Sequence, residues 1–202
     1  GVSMPIRNLS ISEITNFLYS FYQRGILNIH LLGTSRLVVI ALCAFLARHI
    51  FKWVSIDSTT WNTAAIFSGF INPSSLVQKD LRPNGRSNHG EANDCLCPYC
   101  CGRNFSEIKG LPLAEKRTLL RKHNWLVIDQ AFKDLYDAST SLNELERHLR
   151  GRARCQREVD ELIAALSPIE AIKNGIQSET QDAWESIPLN EKLSCMSHHQ
   201  AT

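Results

Sequence analysis

Four of the seven cysteines fall within seven consecutive positions, and this cluster constrains the chain more than any other feature. It consists of Cys95, Cys97, Cys100 and Cys101. Disulfides between such close neighbours are awkward, because a bridge requires two Cβ vectors that face each other across a defined distance. The sequence shows no secretory leader, so we expect a cytosolic protein whose reduced thiolates bind a metal.

The cysteine spacing predicts a structural zinc site. The pattern Cys95-Leu-Cys97-Pro-Tyr-Cys100 is followed, after 22 intervening residues, by His123. Three thiolates and one imidazole complete a tetrahedral Cys₃His set, and four protein ligands leave no open position for a reacting water. His89 lies six positions before Cys95 and is the alternative fourth ligand.

Composition excludes several classes of protein. A hydrophobic content of 44% with 21% charged residues is not that of a wholly disordered chain. The longest uncharged apolar run, Leu37 to Ala47, is eleven residues long, far short of the about 20 that a membrane span needs, so we expect no membrane partner. With 22 Lys and Arg against 20 Asp and Glu, any nucleic-acid binding must come from a local patch.

Eight cations around the cysteine cluster form the candidate patch for phosphate contact. A charge run is also typical of a solvated surface, so both interpretations stay open. The eight residues are Arg82, Arg86, Arg103, Lys109, Lys116, Arg117, Arg121 and Lys122.

The first part of the chain alternates helices and strands. Apolar periodicity predicts a helix over 11–24, a cap at Thr34 or Ser35 predicts a second helix over 36–50, and short β-branched runs predict strands over 26–32 and 52–57. Helix and strand in alternation with short links indicate a parallel βαβ unit or a (β/α) barrel, hence the α/β class.

Beyond Trp61 this alternation stops. We expect residues 62–92 to be irregular, with Pro and Gly as breakers. A helix is predicted over 113–138, with a potential break near His123, and a charged helix over 141–166, where Arg and Glu side chains pair along the helix. Residues 170–202 are predicted to be weakly ordered.

Asp57 stands at the carboxyl end of the second predicted strand. In (β/α) folds this end of a strand faces the active site. A carboxylate there can attack an electrophilic sugar carbon and form a covalent glycosyl-enzyme intermediate. A loop-ordering or helix-capping Asp is the alternative interpretation of the same position.

The order of the motifs resembles that of a known enzyme family. His30-Leu31-Leu32-Gly33 is followed by Ser55-Ile56-Asp57, then by the Cys-x-Cys-x₂-Cys cluster, then by His123-Asn124. This order resembles the C-terminal half of the tRNA-guanine transglycosylases, and it favours His123 over His89 as fourth zinc ligand. The resemblance implies the C-terminal part of a (β/α)₈ TIM-type barrel with a zinc-binding subdomain and C-terminal helices. The implied domains are 1–70 (barrel), 71–138 (zinc) and 139–202 (helical extension).

The resemblance also implies an activity: exchange of guanine for a 7-deazaguanine base in a nucleic acid. Asp57 would be the nucleophile, Leu32 and Gly33 would line the face that holds the base, and Gly1 to Met4 would correspond in position to the backbone loop that reads the base. The family's general acid/base carboxylate and first strands have no match in the 202 residues. We therefore expect the chain alone to be inactive and to be a portion of a longer enzyme.

One departure from the family bears on the substrate. Asp57 is followed by Ser58-Thr59-Thr60-Trp61, whereas the tRNA enzymes have a Pro-Thr-Arg segment there. Asp-Ser-Thr-x-Trp is more similar to the bacterial and phage branch that places 7-deazaguanines into DNA, so DNA is favoured over tRNA.

Two other interpretations remain. The chain could be a non-catalytic zinc-containing subunit that binds nucleic acid or assists assembly, as a dimer or with a partner subunit. It could also be a zinc ribbon unrelated to barrels, in which case residues 26–32 and 53–57 would not pair in parallel.

Overall fold

The computed structural model describes residues 9–32, 36–57, 59–82, 84, 95–100, 102–153 and 155–173 of the 202. The described part is a mixed α/β fold that is mostly helical. In chain order its elements are α1 Ile11–Gln23, β1 Asn28–Leu32, α2 Leu37–His49, β2 Trp53–Asp57, α3 Thr60–Ile66, β3 Gly69–Ile71, β4 Gln78–Asp80, α4 Phe105–Gly110, α5 Leu113–Ala138, α6 Leu142–Arg150 and α7 Gln156–Lys173.

β1 and β2 form a parallel pair connected through α2. The register runs from Asn28 opposite Trp53 to Leu32 opposite Asp57. This confirms the βαβ unit predicted from the sequence, because parallel neighbours need a crossover connection of this kind. The parallel pairing contradicts the expectation of a zinc ribbon unrelated to barrels. The first four elements start and end within two residues of their predicted bounds.

A large apolar core, here called the helical core, surrounds α2. Every side chain from Leu37 to Leu46 is buried, as required of a helix that is apolar on all sides. α1, α5, α7 and β2 pack against it, and Ile29 and Leu31 of β1 are 2% exposed beneath these helices. α1 begins with the capping box of Ser10 and Glu13 that the sequence pattern indicates.

The prediction that residues 62–92 are irregular is wrong in its first half. α3 covers Thr60–Ile66, and Gly69–Ile71 pairs antiparallel with Gln78–Asp80. These elements have seven, three and three residues, too few for a hydrophobic period to be recognised. Residues 85–92 lie outside the described ranges.

A second, smaller core lies between α3, the β3–β4 pair, α4 and α5, and is here called the metal-side core. Its buried residues are Ala65, Phe70, Leu81, Cys95, Cys100, Phe105, Ile108, Leu119 and Leu120.

The C-terminal helices are interrupted at a different position from the one predicted. α5 runs unbroken through His123 over the predicted bounds, so the expected break is absent. The predicted single helix 141–166 is instead two helices, because α6 ends at Arg150 with Gly151 as its C-cap and α7 starts only at Gln156. Within α6 the predicted pairs are confirmed: Arg147 with Glu144, and Arg150 with Glu146.

The coarse α/β class is therefore confirmed. The strands of the described ranges form two separate two-stranded sheets, so the barrel and the three domains stay predictions. Among these residues no helix combines the length and the apolar character that a bilayer crossing demands.

Candidate metal centre

The cysteine segment folds into a short knuckle. Residues 95–97 lead into a turn over 98–100, and Pro98 restricts the backbone between the second and third thiols. The backbone N–H of Cys97 lies 3.4 Å from Cys95 Sγ and donates to it. Gly102 then adopts φ 77°, a left-handed conformation that suits glycine. Asn104 caps α4 with a full capping box, which ends the knuckle.

The structure brings the four predicted ligands together. One potential ligand atom from each of Cys95, Cys97, Cys100 and His123 lies within 4.8 Å of every other. His123 Nδ1 is 3.5, 3.3 and 3.4 Å from the three sulfurs in chain order, and the Cys97 and Cys100 sulfurs are 3.1 Å apart. The sulfurs are not bonded, since the cysteines are free.

These distances fit a tetrahedral ion. Zn–S bonds of about 2.3 Å and Zn–N bonds of about 2.0 Å imply ligand–ligand edges of about 3.5–3.8 Å. The three nitrogen–sulfur distances lie within about 0.2 Å of the nitrogen–sulfur edge of about 3.5 Å, whereas the Cys97–Cys100 distance of 3.1 Å is shorter than the sulfur–sulfur edge of about 3.8 Å. The group could therefore hold a metal ion such as zinc.

The ring of His123 is oriented by its second nitrogen. Nε2 lies 2.9 Å from the carbonyl oxygen of Ile71 and donates to it. This bond assigns the proton to Nε2 and leaves the Nδ1 lone pair facing the sulfurs, the usual arrangement of a metal-binding histidine. Phe70 stacks on the imidazole at 4.0 Å between ring centroids and 17° between planes. The Phe70 ring also makes an edge-on contact with the ring of Phe105.

Burial shifts the pKa of two of the candidate ligands, His123 and Cys95. It lowers the pKa of His123, with the Ile71 carbonyl bond acting in the opposite direction. The neutral imidazole, which is the metal-binding form, is thus favoured. Burial also raises the pKa of Cys95. Because the thiols must deprotonate to bind a metal, binding releases protons and acid weakens it.

Three of the four candidate ligands are buried. His123 and Cys100 are 0% exposed and Cys95 is 7% exposed, while Cys97 is half-buried. Four protein ligands in a buried group are typical of a structural site, whereas a catalytic metal keeps a position open for water. The geometry thus agrees with the predicted structural role.

Asn124 is a buried residue whose role the sequence did not indicate. Its Nδ2 donates to the carbonyl oxygens of Trp61 and Gly69, at 3.2 and 2.9 Å. Its Oδ1 accepts the N–H of Ile71 at 2.9 Å. Asn124 directly follows the predicted ligand His123, and this was the available sequence signal for its role. A single sequence does not show whether such a neighbour bonds to other segments of the chain.

Asp57 lies on a different element from the metal ligands. It is the last residue of β2, and its backbone is opposite Leu32, the last residue of β1. The side chains of both residues lie outside what the structure describes. So do Gly33, His89 and the Gly1–Met4 segment, so their predicted roles stay predictions.

One polar contact joins the two strands just before their carboxyl ends. His30 Nδ1 and Ser55 Oγ are 2.5 Å apart, and the two residues are register partners. Both are half-buried, whereas Ile29 and Leu31 on the alternating positions are buried under the helices. The contact fixes the relative position of β1 and β2 two residues before Asp57.

The residues of the predicted cationic patch have different surroundings: some hydrogen-bond within the protein and others line a groove. Arg86 is outside the described ranges. Arg82, Lys116 and Arg117 donate hydrogen bonds within the protein, and burial lowers the pKa of Lys116. Their partners are the Asp80 carboxylate for Arg82, the Lys109 carbonyl for Lys116 and the Ile66 carbonyl for Arg117.

Two cations instead line an open groove between the knuckle and α5. The groove has a volume of about 400 Å³, and its lining includes Arg103, Lys122 and Tyr99, with Glu115 as the acidic member. Lys122 Nζ lies 5.6 Å from the centre of the Tyr99 ring. Leu96, between the first two cysteines of the knuckle, is 87% exposed.

Comparison with known proteins adds no relative: no family model, no curated protein and no solved structure matches the chain.

Proposed function

We propose that the chain is the C-terminal part of a transglycosylase that replaces guanine with a 7-deazaguanine base in a nucleic acid, with DNA favoured over tRNA. Asp57 is the nucleophile of this reaction, and Leu32 with Gly33 lines the base face. Zinc, held by Cys95, Cys97, Cys100 and His123, is the structural metal.

The reaction proceeds in two displacements at the sugar carbon C1′. A carboxylate oxygen of Asp57 bonds to C1′ while the C1′–N9 bond breaks, and guanine leaves with the bonding electrons and takes up a proton. The 7-deazaguanine then loses a proton and bonds to C1′ through its ring nitrogen, which releases Asp57 as a carboxylate. The proton donor and acceptor are supplied outside the residues assigned here, so the chain alone is expected to be inactive.

The observation that carries the proposal is the parallel β1–β2 register. Leu32 and Asp57 are backbone neighbours at the carboxyl ends of two strands joined by a helical crossover. This is the edge at which α/β enzymes bind substrates. Parallel sheets are covered on both faces in α/β proteins. One face of this sheet lies under the helical core. Trp53, at the start of β2, is not part of that core, and its side chain is 54% exposed.

A substitution of the nucleophile tests the proposal. In the full-length protein, Asp57→Asn should abolish base exchange and the covalent protein–nucleic acid adduct seen on a denaturing gel, because an amide cannot bond to C1′. Nucleic-acid affinity should stay close to that of the wild type. The matched control is Asp137→Asn, an exposed position on α5, which should exchange bases normally. Unchanged exchange by Asp57→Asn would remove Asp57 from the mechanism.

A second candidate function rests on the groove beside the knuckle. A non-catalytic subunit that binds nucleic acid needs cations for phosphates and aromatic rings for bases. Arg103, Lys122 and Tyr99 supply both along one groove. If this is the function, Lys122→Ala and Arg103→Ala weaken binding and flatten its salt dependence, while Asp57→Asn changes nothing. Glu115→Ala, in the same groove, should strengthen binding.

A further inference from the structure

The helix that follows the Asp57 strand is held by the element that carries the metal ligand His123. β2 ends at Asp57, and α3 begins three residues later at Thr60. α3 packs along α5. Any constraint on α3 therefore acts close to the carboxyl end of β2.

Two side chains of α5 bind the two ends of α3. Asn124 Nδ2 donates to the Trp61 carbonyl oxygen in the first turn of α3, at 3.2 Å. Arg117 Nε donates to the Ile66 carbonyl oxygen in its last turn, at 3.1 Å. α3 has only seven residues, so it is too short to be stable by itself and depends on such external bonds.

The same asparagine is connected to the metal centre through β3. The N–H of Ile71 donates to Asn124 Oδ1 at 2.9 Å, and the carbonyl of Ile71 accepts from His123 Nε2 at 2.9 Å. One residue of β3 is thus held by two adjacent side chains of α5. Asn124 is 0% exposed and its three hydrogen bonds all go to backbone atoms.

We infer that Asn124 is a positioning residue that transmits the order of the metal centre to α3, and through α3 to the carboxyl end of β2. A bound metal fixes His123, His123 fixes Ile71, and Ile71 with Asn124 fixes Trp61. The metal then supports the Asp57 strand end although none of its ligands lies on β2. This inference rests on the proposed function only for the role of Asp57, and the tether itself is independent of any activity.

Hydrogen exchange across residues 59–66 tests the tether. Removing the metal from the wild-type chain should speed exchange of the α3 amides by at least about tenfold, the factor that corresponds to the loss of one or two net hydrogen bonds. Exchange in α6, which packs on α5 and α7 in the helical core, should stay unchanged and serves as the internal control. Equal exchange of α3 with and without metal would overturn the inference.

Two variants separate positioning from general stability. Asn124→Ala keeps all four metal ligands, so it should bind one metal while α3 exchanges fast in both metal states. Arg117→Gln removes the bond at the other end of α3 and should speed its exchange while preserving the response to metal. The matched control is Asn143→Ala, at an exposed position on α6, and should behave as the wild type. If Asn124→Ala retains slow, metal-dependent exchange, Asn124 does not transmit the order.

The hydrogen-exchange experiment also gives a result if Asn124→Ala is destabilised as a whole. If Asn124→Ala loses protection in α6 as well as in α3, Asn124 is a general stability residue and the inference is wrong. Failure of the proposed function would look different: Asp57→Asn would exchange bases normally while α3 still responded to metal.

Discussion

The helical core and the metal-side core are stabilised by different means. Within the described ranges the helical core has 25 buried apolar residues from both ends of the chain, whereas the metal-side core has nine, of which two are candidate metal ligands. Burial of this many side chains is enough to drive folding of the first. A cluster of nine is small, and small cores commonly depend on a metal or disulfide.

Buried polar groups show the same contrast. In the helical core Thr15 and Ser139 bond back to carbonyls of their own helix turn. Around the metal centre His123, Asn124 and Lys116 are buried and bond to backbone atoms on other elements or loops. The first region is thus specified by the burial of apolar side chains, and the second by a few directional bonds between segments far apart in the chain.

The largest expected effect comes from removing one metal ligand. Cys97→Ser should lose nearly all bound metal, because a structural zinc contributes about 10–16 kcal/mol of apparent binding energy that requires the full ligand set. Metal analysis after purification with zinc and chelator competition measure the loss. The metal-side core should unfold, while the far-ultraviolet signal of the helical core persists.

Cys155→Ser is the matched control for this substitution. Cys155 is exposed and lies outside the ligand group, so its variant should retain one metal per chain. If Cys97→Ser still bound one metal per chain, or if chelation unfolded both cores, the two cores would not differ in what stabilises them.

The next effect is expected in the helical core. Phe45 is 0% exposed in the centre of α2, and Phe45→Ala should lower the free energy of unfolding by about 4 kcal/mol through lost burial and a cavity. Denaturant titration measures it. Metal content should not change as long as the chain stays folded. Phe67→Ala, where the ring is 63% exposed, should stay within about 0.5 kcal/mol of the wild type.

Each region also contains a histidine with a lowered pKa, which predicts acid sensitivity in both. Burial is the main cause for His123, and for His148 it is assisted by the Arg152 charge and opposed by Asp134. His148 Nε2 is buried without a hydrogen-bond partner among the described atoms. Since the unfolded chain binds protons more readily, stability is complete above the ordinary histidine pKa of about 6.5 and falls as pH drops below it.

The metal state separates the two contributions. In the metal-free chain the metal-side core is expected to be unfolded, so the loss of stability below pH 6.5 comes from His148 in the helical core. In the metal-bound chain unfolding also returns protons to His123 and the three thiolates, so stability falls more steeply with acid. His148→Gln should flatten the slope of the metal-free chain, as followed by thermal denaturation from pH 7.5 downwards. An unchanged slope would show that His148 does not titrate with unfolding.

The same contrast explains what the sequence could predict. α1 was predicted closely because its apolar residues recur at the helix period, and α2, β1 and β2 were predicted closely because each is a continuous apolar or β-branched run bounded by polar or glycine residues. The four clustered ligands were predicted because metal chemistry fixes residue type and spacing. In contrast, β3 and β4 have three residues each, and β3 is bonded to Asn124 and His123, which are remote in sequence. Such bonds leave no local pattern.

The smallest predicted effect compares two equivalent helix caps. Ser10 and Asn104 each form a full capping box, for α1 in the helical core and for α4 beside the knuckle. Replacement by Ala should cost about 1 kcal/mol of stability at either site. Because α4 supplies Phe105 and Ile108 to the metal-side core, only Asn104→Ala should also weaken metal binding, by several-fold in chelator competition. Ser10→Ala should leave metal affinity unchanged. Equal metal affinity in both variants would mean that the knuckle is ordered independently of α4.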